Sequence, residues 1–132
     1  TKKYQALIDR IEKRYKKENS VVVNFPPKFS LMTPYDKIVY RFVEELITNA
    51  VKYSQEGEIF LKIELKQDII SIVSENNSIS TKEHSLGYGL KNMANKLSVL
   101  GGKMNILDKN GVFRIVIELP IDKELCYENF VD

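Results

Sequence analysis

Hydrophobic residues recur along the chain with two different periods, and the change of period predicts the order of the elements. Apolar side chains return every three or four positions over residues 1–18, which predicts a helix. The same helical period is found over residues 34–54. It returns once more from Gly87 onward, until Gly101 or Gly102 ends that helix.

Five shorter stretches carry the β-branched or alternating pattern that is typical of strands. They are "VVVNF", "EIFLKIEL", "IISIVS", "KMNIL" and "VFRIVIELP". The segment "QEGE" is expected to break the chain after the second helix, "ENNSISTKEHS" is expected to be a loop, and Asn110-Gly111 predicts a hairpin turn. The order predicts an α+β fold: a two-layer α/β sandwich whose mixed sheet carries the helices on one face.

Composition narrows the class of protein only a little. The chain has 132 residues, 43% of them hydrophobic, which suggests one domain with a proper core. A net charge of +2 does not favour a nucleic-acid partner, and the basic run at residues 13–17 fits a solvated helix end. The single cysteine, Cys126, excludes an internal disulfide and fits a reducing compartment. No apolar run is long enough to span a bilayer, and the start without Met suggests an excised piece of a larger protein.

A polar row on the second helix is the first candidate for chemistry. At about 100° per residue, Glu45, Asn49 and Lys52 fall within a narrow arc beside an apolar stripe. Such a row is either a solvated face or a place that holds phosphates and a metal. Asparagine is a weak helix former, so something other than helix propensity is expected to keep Asn49 there.

Two further stretches could bind a ligand. Gly87 and Gly89 open the third helix, where free first-turn amides and close backbone approach favour an anion. This spacing alone is a weak signal. The polar run "SENNS" follows a buried strand, where hydrogen bonds could read a ligand's ring, although as a lone feature it is an ordinary turn.

Taken together, these motifs resemble a known family. "EELITNAVKYS" resembles the N box of the ATP-binding domain of sensor histidine kinases, in the superfamily that includes gyrase. "GYGLKNMANKLSVLGGKMNI" looks like the second glycine box with its helix and strand, and "VFRIVIELP" looks like the closing strand. "NNSIS" stands where the family has its first glycine box. The resemblance covers residues 21–121 and implies a Bergerat-type ATP-binding fold.

On the N box, the resemblance implies a role for four residues. Asn49 matches the asparagine that binds Mg²⁺ together with ATP, and Glu45 matches the glutamate that orients the attacking group near the metal. Lys52 matches a lysine that contacts phosphate, and Tyr53 matches a position that flanks the nucleotide.

The second glycine box implies five more contacts with the nucleotide. Gly87 and Gly89 match glycines whose backbone closes over the phosphates. Ser85 and Tyr88 are their neighbours in the family's lid, and Leu90 completes the motif.

The first glycine box departs from the family pattern. Asn76 replaces the Asp that binds the adenine amino group, followed by Asn77, and Ser78 and Ser80 replace both glycines. An amide oxygen can still accept from the amino group, but without charge. A shifted register would bring Glu75 to the Asp position, although the strand alternation favours Asn76.

The resemblance implies the catalytic domain of a sensor histidine kinase that uses Mg²⁺ and ATP. We expect residues 21–121 to form that domain, residues 1–20 to be a linker or the end of a dimerisation helix, and residues 122–132 to be a tail. His84 is the only histidine and falls in the predicted loop, so the acceptor histidine is expected on the dimerisation domain of the parent chain. The resemblance also implies that a response regulator then receives the phosphoryl group. The short stretch between the boxes resembles nitrate-sensor and lipid-sensor kinases, which implies a cytoplasmic domain of a membrane-anchored bacterial sensor.

Two alternatives stay open. A degenerate module that binds nucleotide poorly and acts through protein contacts would account for the altered "NNSIS". An anti-sigma-type serine kinase needs no dimerisation helices, and the basic helix at residues 1–18 argues against it because it looks like a continuation from upstream.

Overall fold

The helices and strands follow one another in the predicted order. The computed structural model describes residues 2–15, 20–24, 31, 34–78 and 88–121. The elements are α1 (Lys2–Tyr15), β1 (Ser20–Asn24), α2 (Tyr35–Tyr53), β2 (Ser54–Lys66), β3 (Ile69–Ser78), α3 (Tyr88–Val99), β4 (Lys103–Lys109) and β5 (Val112–Pro120).

The strands form one mixed sheet of five, in the order β1-β2-β3-β5-β4. β1 pairs with β2 in parallel, and α2 is the crossover between them, whereas the other neighbours are antiparallel. β3 therefore lies in the centre, with a hydrogen-bonded strand on each side. The predicted α+β class and mixed sheet are both confirmed.

One face of the sheet carries the helices and the core. Alternate residues of each central strand are buried, and their neighbours in sequence point to the other face. The buried apolar strand positions are Ile59, Leu61, Ile63, Ile70, Ile72, Phe113, Ile115, Ile117 and Leu119. The helices contribute the apolar stripe of α2, together with Leu90, Met93 and Leu97 of α3. The buried faces of β2, β3 and α2 agree with the alternating and helical periods of their sequences.

The first helix is packed into the same core. Tyr4, Leu7, Ile8 and Ile11 are buried along one side of α1, as their spacing predicts. The ring of Tyr4 lies 5.7 Å from the ring of Tyr40 on α2, measured between centroids. Burial raises the pKa of the Tyr4 hydroxyl well above its usual range, so this group stays neutral. The interpretation of residues 1–20 as a linker or dimerisation helix stays a prediction.

Two strands are longer than their local sequence predicts. β2 begins at Ser54, directly after α2, where "QEGE" predicted a break, and its register shifts between Ser54 and Ile59. β3 continues to Ser78, so Asn76 and Asn77 lie in a strand and not in a loop. Both asparagines pair with β5, and Asn76 also pairs with β2. This pairing overrides the turn preference of the residues.

Two turns form as the sequence predicts. Asn110 and Gly111 connect β4 to β5 with φ of 56° and 78°, the left-handed backbone that a two-residue hairpin turn requires. α3 ends at Val99, and Gly101 follows with φ of 79°. The amide of Gly102 then donates to the oxygen of Leu97 at 2.7 Å, which satisfies a carbonyl of the last turn.

α2, the longest of the described helices, carries a charged residue near each end. α2 has 19 residues and carries Asp36 in its first turn and Lys52 in its last. Among the residues that the structure describes, no helix has the combined length and apolarity that a bilayer-crossing helix needs.

The central position of β3 gives a stability prediction. Ile72 is fully buried, and Ile72→Ala is expected to lower the free energy of unfolding by about 2–5 kcal/mol, because it removes apolar contacts and leaves a cavity. Ser71 lies on the opposite face of the sheet, and Ser71→Ala is expected to change the free energy of unfolding by less than about 0.5 kcal/mol. Urea denaturation of both variants measures the difference. Equal losses would contradict the assignment of faces.

Candidate functional site

Glu45 and Asn49 form a hydrogen-bonded pair on α2. The Nδ2 atom of Asn49 donates to the backbone oxygen of Glu45 at 2.8 Å and to its Oε1 atom at 2.8 Å. Residues four apart lie on one face of a helix, which makes both bonds possible. Asn49 is only 9% exposed and Glu45 is half-buried, so the pair lies at the edge of the core.

The pair leaves an oxygen that suits a metal ion. Both of these bonds of Asn49 are donated by Nδ2, so its Oδ1 atom is available as a hard ligand of the kind Mg²⁺ prefers. Within the described part of the chain, no three acidic, histidine or cysteine side chains come together as a metal cage. A Mg²⁺ ion that takes most of its ligands from water and phosphate oxygens needs no such cage.

Gly89 brings the start of α3 against this pair. It lies in the first turn of α3, and a Cβ atom built there would overlap with the carboxylate of Glu45. Leu90, the next residue, is buried in the core and fixes α3 at this position. The stretches that resemble the N box and the second glycine box therefore meet at the Glu45 carboxylate.

Asn76 is a second candidate, on β3. Its side chain is 3% exposed and faces the helices, in the same row of the sheet as Ile59 and Phe113. Its Nδ2 atom donates to the backbone oxygen of Asn77 at 3.3 Å. Its Oδ1 atom is buried and has no hydrogen-bond partner among the described residues. Because a buried acceptor without a partner is unfavourable, this oxygen marks a place where a ligand could donate a hydrogen bond.

The face of β3 that carries Asn76 changes character along the strand. Its inward positions are Ile70 and Ile72, and then Ser74 and Asn76, all of them buried. Ser74 is not among the site residues predicted from the sequence. The signal that could have found it is the switch from apolar to polar residues at inward positions of one strand.

The other predicted site residues are placed as follows. Lys52 is exposed in the last turn of α2, and Asn77 is exposed on the face of β3 away from the helices. Glu75 shares that outer face and lies opposite Arg114, so Asn76 is the inward residue, as the alternation predicts. Ser85 and Gly87 lie outside the described residues, as do the side chains of Tyr53 and Tyr88.

The fold is that of histidine kinase catalytic domains. The solved catalytic domain of the histidine kinase ThkA superposes with a TM-score of 0.66 at 13% identity, covering 89% of this chain and 91% of that one. The histidine kinase AdeS of Acinetobacter baumannii superposes with a TM-score of 0.66 at 15% identity, covering 90% of this chain and 65% of that one.

Sequence comparison finds relatives of the same class. The signal transduction histidine-protein kinase/phosphatase DegS of Bacillus subtilis is 26% identical over 98 residues, which are 69% of this chain and 26% of DegS. The oxygen sensor histidine kinase NreB of Staphylococcus carnosus is 26% identical over 117 residues, which are 83% of this chain and 34% of NreB. No protein-family model matches the chain. The chain is thus similar in sequence to histidine kinases, has the fold of their catalytic domains, and spans about a quarter to a third of these relatives.

The Oδ1 atom of Asn76, which has no hydrogen-bond partner in the described part of the chain, gives a prediction about stability without ligand. Asn76→Leu, which has a similar size, is expected to raise the free energy of unfolding by about 1 kcal/mol, because it removes the buried acceptor. Asn77→Leu, one residue along on the exposed side, serves as the control and is expected to give no such gain. Urea denaturation without nucleotide measures both variants. A loss of stability in Asn76→Leu would show that the oxygen is satisfied within the protein.

Proposed function

We propose that this chain is the catalytic ATP-binding domain of a sensor histidine kinase, holding Mg²⁺-ATP for phosphoryl transfer to a histidine elsewhere in the parent protein. The observation that carries the proposal is the contact of the Glu45–Asn49 pair on α2 with Gly89 at the start of α3. It unites the two motifs that resemble the kinase family. The similarity to DegS and NreB supports the same class.

The phosphate end of the ligand would lie at the Glu45–Asn49 pair. Asn49 would give its Oδ1 atom to Mg²⁺, since its Nδ2 atom is held by Glu45. Glu45 would orient the attacking group with a carboxylate that is already fixed by Asn49. Bound Mg²⁺ supplies charge neutralisation for the phosphates. Lys52, three residues after Asn49 on the same helix, would add a positive charge.

The base end of the ligand would lie at Asn76. The adenine amino group is a hydrogen-bond donor, and the Oδ1 atom of Asn76 is a buried acceptor that has no donor among the residues that the structure describes. The bond from Nδ2 to the oxygen of Asn77 orients the amide so that its oxygen remains for the ligand. This arrangement selects an amino group by geometry and without a charge.

The partners of the domain are part of the same proposal. The acceptor histidine would belong to the dimerisation domain of the parent chain, and a response regulator would receive the phosphoryl group from it. DegS is named as a signal transduction kinase and NreB as an oxygen sensor kinase. Both names support the two proposed partners. A membrane-anchored parent with this domain in the cytoplasm rests on the family resemblance alone.

One observation favours a second candidate. Asn76 stands where the kinase family has an Asp, so the amino-group contact would lack a charge-assisted bond. A degenerate module that binds nucleotide weakly and works through protein contacts would tolerate that loss. Titration of the chain with Mg²⁺-ATP and Mg²⁺-ADP by calorimetry separates the two functions, because only the kinase domain requires measurable binding.

The role of Asn49 gives the first functional prediction. Asn49→Asp is expected to nearly abolish Mg²⁺-dependent nucleotide binding. It removes both hydrogen bonds that Nδ2 donates to Glu45, and it places a second carboxylate beside that of Glu45. Asn95→Asp, the same change at an exposed position of α3, is the control and should bind normally. Calorimetry measures affinity and circular dichroism verifies the fold. Unchanged Mg²⁺-dependent affinity in a folded Asn49→Asp protein would refute the metal-ligand role.

The altered first glycine box gives the second functional prediction. Asn76→Asp is expected to tighten ATP binding by about 1–2 kcal/mol, because a charged acceptor binds the amino group more strongly. The gain falls to the lower end of this range because the Nδ2 bond to Asn77 is lost. GTP presents a carbonyl at the corresponding position and should gain nothing.

The measurement compares wild type, Asn76→Asp, Ser78→Gly and the double variant with both nucleotides. If the serine crowds the ring, only the double variant will show the full gain. Equal ATP affinity in all four proteins would mean that Asn76 does not contact the base. Absence of ATP binding in all four, with the fold intact, would favour the degenerate module.

A further inference from the structure

We propose that Gly89 is a positioning residue: its missing Cβ is the space that the Glu45 carboxylate occupies. The family resemblance implies that Gly89 closes over phosphates, whereas its contact with Glu45 points to a different task. The inference rests on the proposed function, because Glu45 matters for phosphoryl transfer only if the chain is a kinase domain.

Space, and not backbone conformation, is what requires glycine at this position. Among the described glycines, Gly101 and Gly111 have positive φ, which glycine tolerates best, and Gly89 does not. A Cβ atom at Gly111 would meet nothing within 4 Å, whereas one at Gly89 would overlap Oε1, Cδ and Oε2 of Glu45. The obstacle is therefore the carboxyl group of one side chain.

The carboxylate is held from the other side as well. Its Oε1 atom accepts the hydrogen bond from Nδ2 of Asn49 at 2.8 Å. The first turn of α3 also carries the positive end of the helix dipole, which favours a nearby carboxylate. The group thus lies between the Asn49 amide on α2 and the Gly89 backbone on α3. A methyl group at position 89 must displace it, and displacement breaks the bond to Asn49.

The two tasks for Gly89 have different consequences. If it closes over phosphates, Gly89→Ala weakens nucleotide binding, whatever residue stands at position 45. If it positions Glu45, Gly89→Ala leaves phosphate binding nearly unchanged and lowers the rate of transfer. In that case its effects also depend on the presence of the Glu45 carboxylate.

A thermal double-mutant cycle tests the contact without any nucleotide. The melting temperature is measured for wild type, Gly89→Ala, Glu45→Ala and the double variant. Alanine is the better helix former, so Gly89→Ala should raise the melting temperature by a few degrees in the Glu45→Ala background. In wild type, displacement of the carboxylate should cancel or reverse that gain. Asn95→Ala on exposed α3 is the control and should give the same rise in both backgrounds. An equal effect of Gly89→Ala in both backgrounds would overturn the proposal.

A functional comparison tests the consequence in the parent protein. Gly89→Ala should lower the histidine phosphorylation rate at saturating ATP by on the order of tenfold to a hundredfold, as a misplaced reacting group does. ADP affinity should stay within about twofold, because displacement of Glu45 leaves phosphate binding nearly unchanged. Glu45→Asp is shorter by one methylene, so adding it to Gly89→Ala should recover part of the rate.

The failure of this inference differs from the failure of the proposed function. A parallel loss of ADP affinity and rate in Gly89→Ala, with no recovery by Glu45→Asp, would return Gly89 to the phosphate-closing role. Absence of ADP binding to the wild-type chain would refute the kinase function, and the thermal cycle would still decide whether Gly89 makes room for Glu45.

Discussion

The packing of α2 against β2 and β3 is the interaction on which both the core and the candidate site depend. Val43, Leu46 and Ile47 of its apolar stripe are almost completely buried, and this burial fixes the rotation of the helix about its axis. The polar row next to the stripe must then fall at the edge of the core. Glu45 and Asn49 are therefore partly desolvated by the same packing that builds the core. A few kcal/mol of hydrophobic packing sets the geometry of the polar pair.

Local pattern was sufficient for most of the fold. The inward faces of α2 and β2, and the turn at Asn110-Gly111, follow from period and turn chemistry that act within a few residues. The end of β3 does not follow from local pattern, because its polar residues favour turns. Hydrogen bonding to β5, and at Asn76 to β2 as well, extends the strand, and that partnership depends on residues far away in the chain. Local rules fail where pairing in the tertiary structure supplies the free energy.

Local pattern also predicted those parts of the candidate site that form within one helix or one strand. Four-residue spacing on one helix brings Glu45 to Asn49, and strand alternation turns Asn76 inward. The contact of Gly89 with Glu45 joins two helices, so no local pattern contains it. The family resemblance implied that Gly89 closes over phosphates, and local sequence could not correct this, because a glycine that provides space and one that provides conformational freedom look the same in sequence.

The two asparagines of the candidate site orient their side-chain amides in the same way. Each uses its Nδ2 atom on an oxygen of the protein, Glu45 for Asn49 and the backbone of Asn77 for Asn76. Each is thereby left with its Oδ1 atom as an acceptor for a ligand, and at Asn76 that atom is buried without a hydrogen-bond partner among the described residues. At Asn76 this buried acceptor is costly in the absence of ligand, so binding of a hydrogen-bond donor there is favourable. An ion at Asn49 and an amino group at Asn76 would suit these acceptors, whereas an anionic or carbonyl group at either position would not. The chemistry of the acceptors thus limits the ligand more sharply than the shape of the fold does, since a fold alone does not define what binds to it.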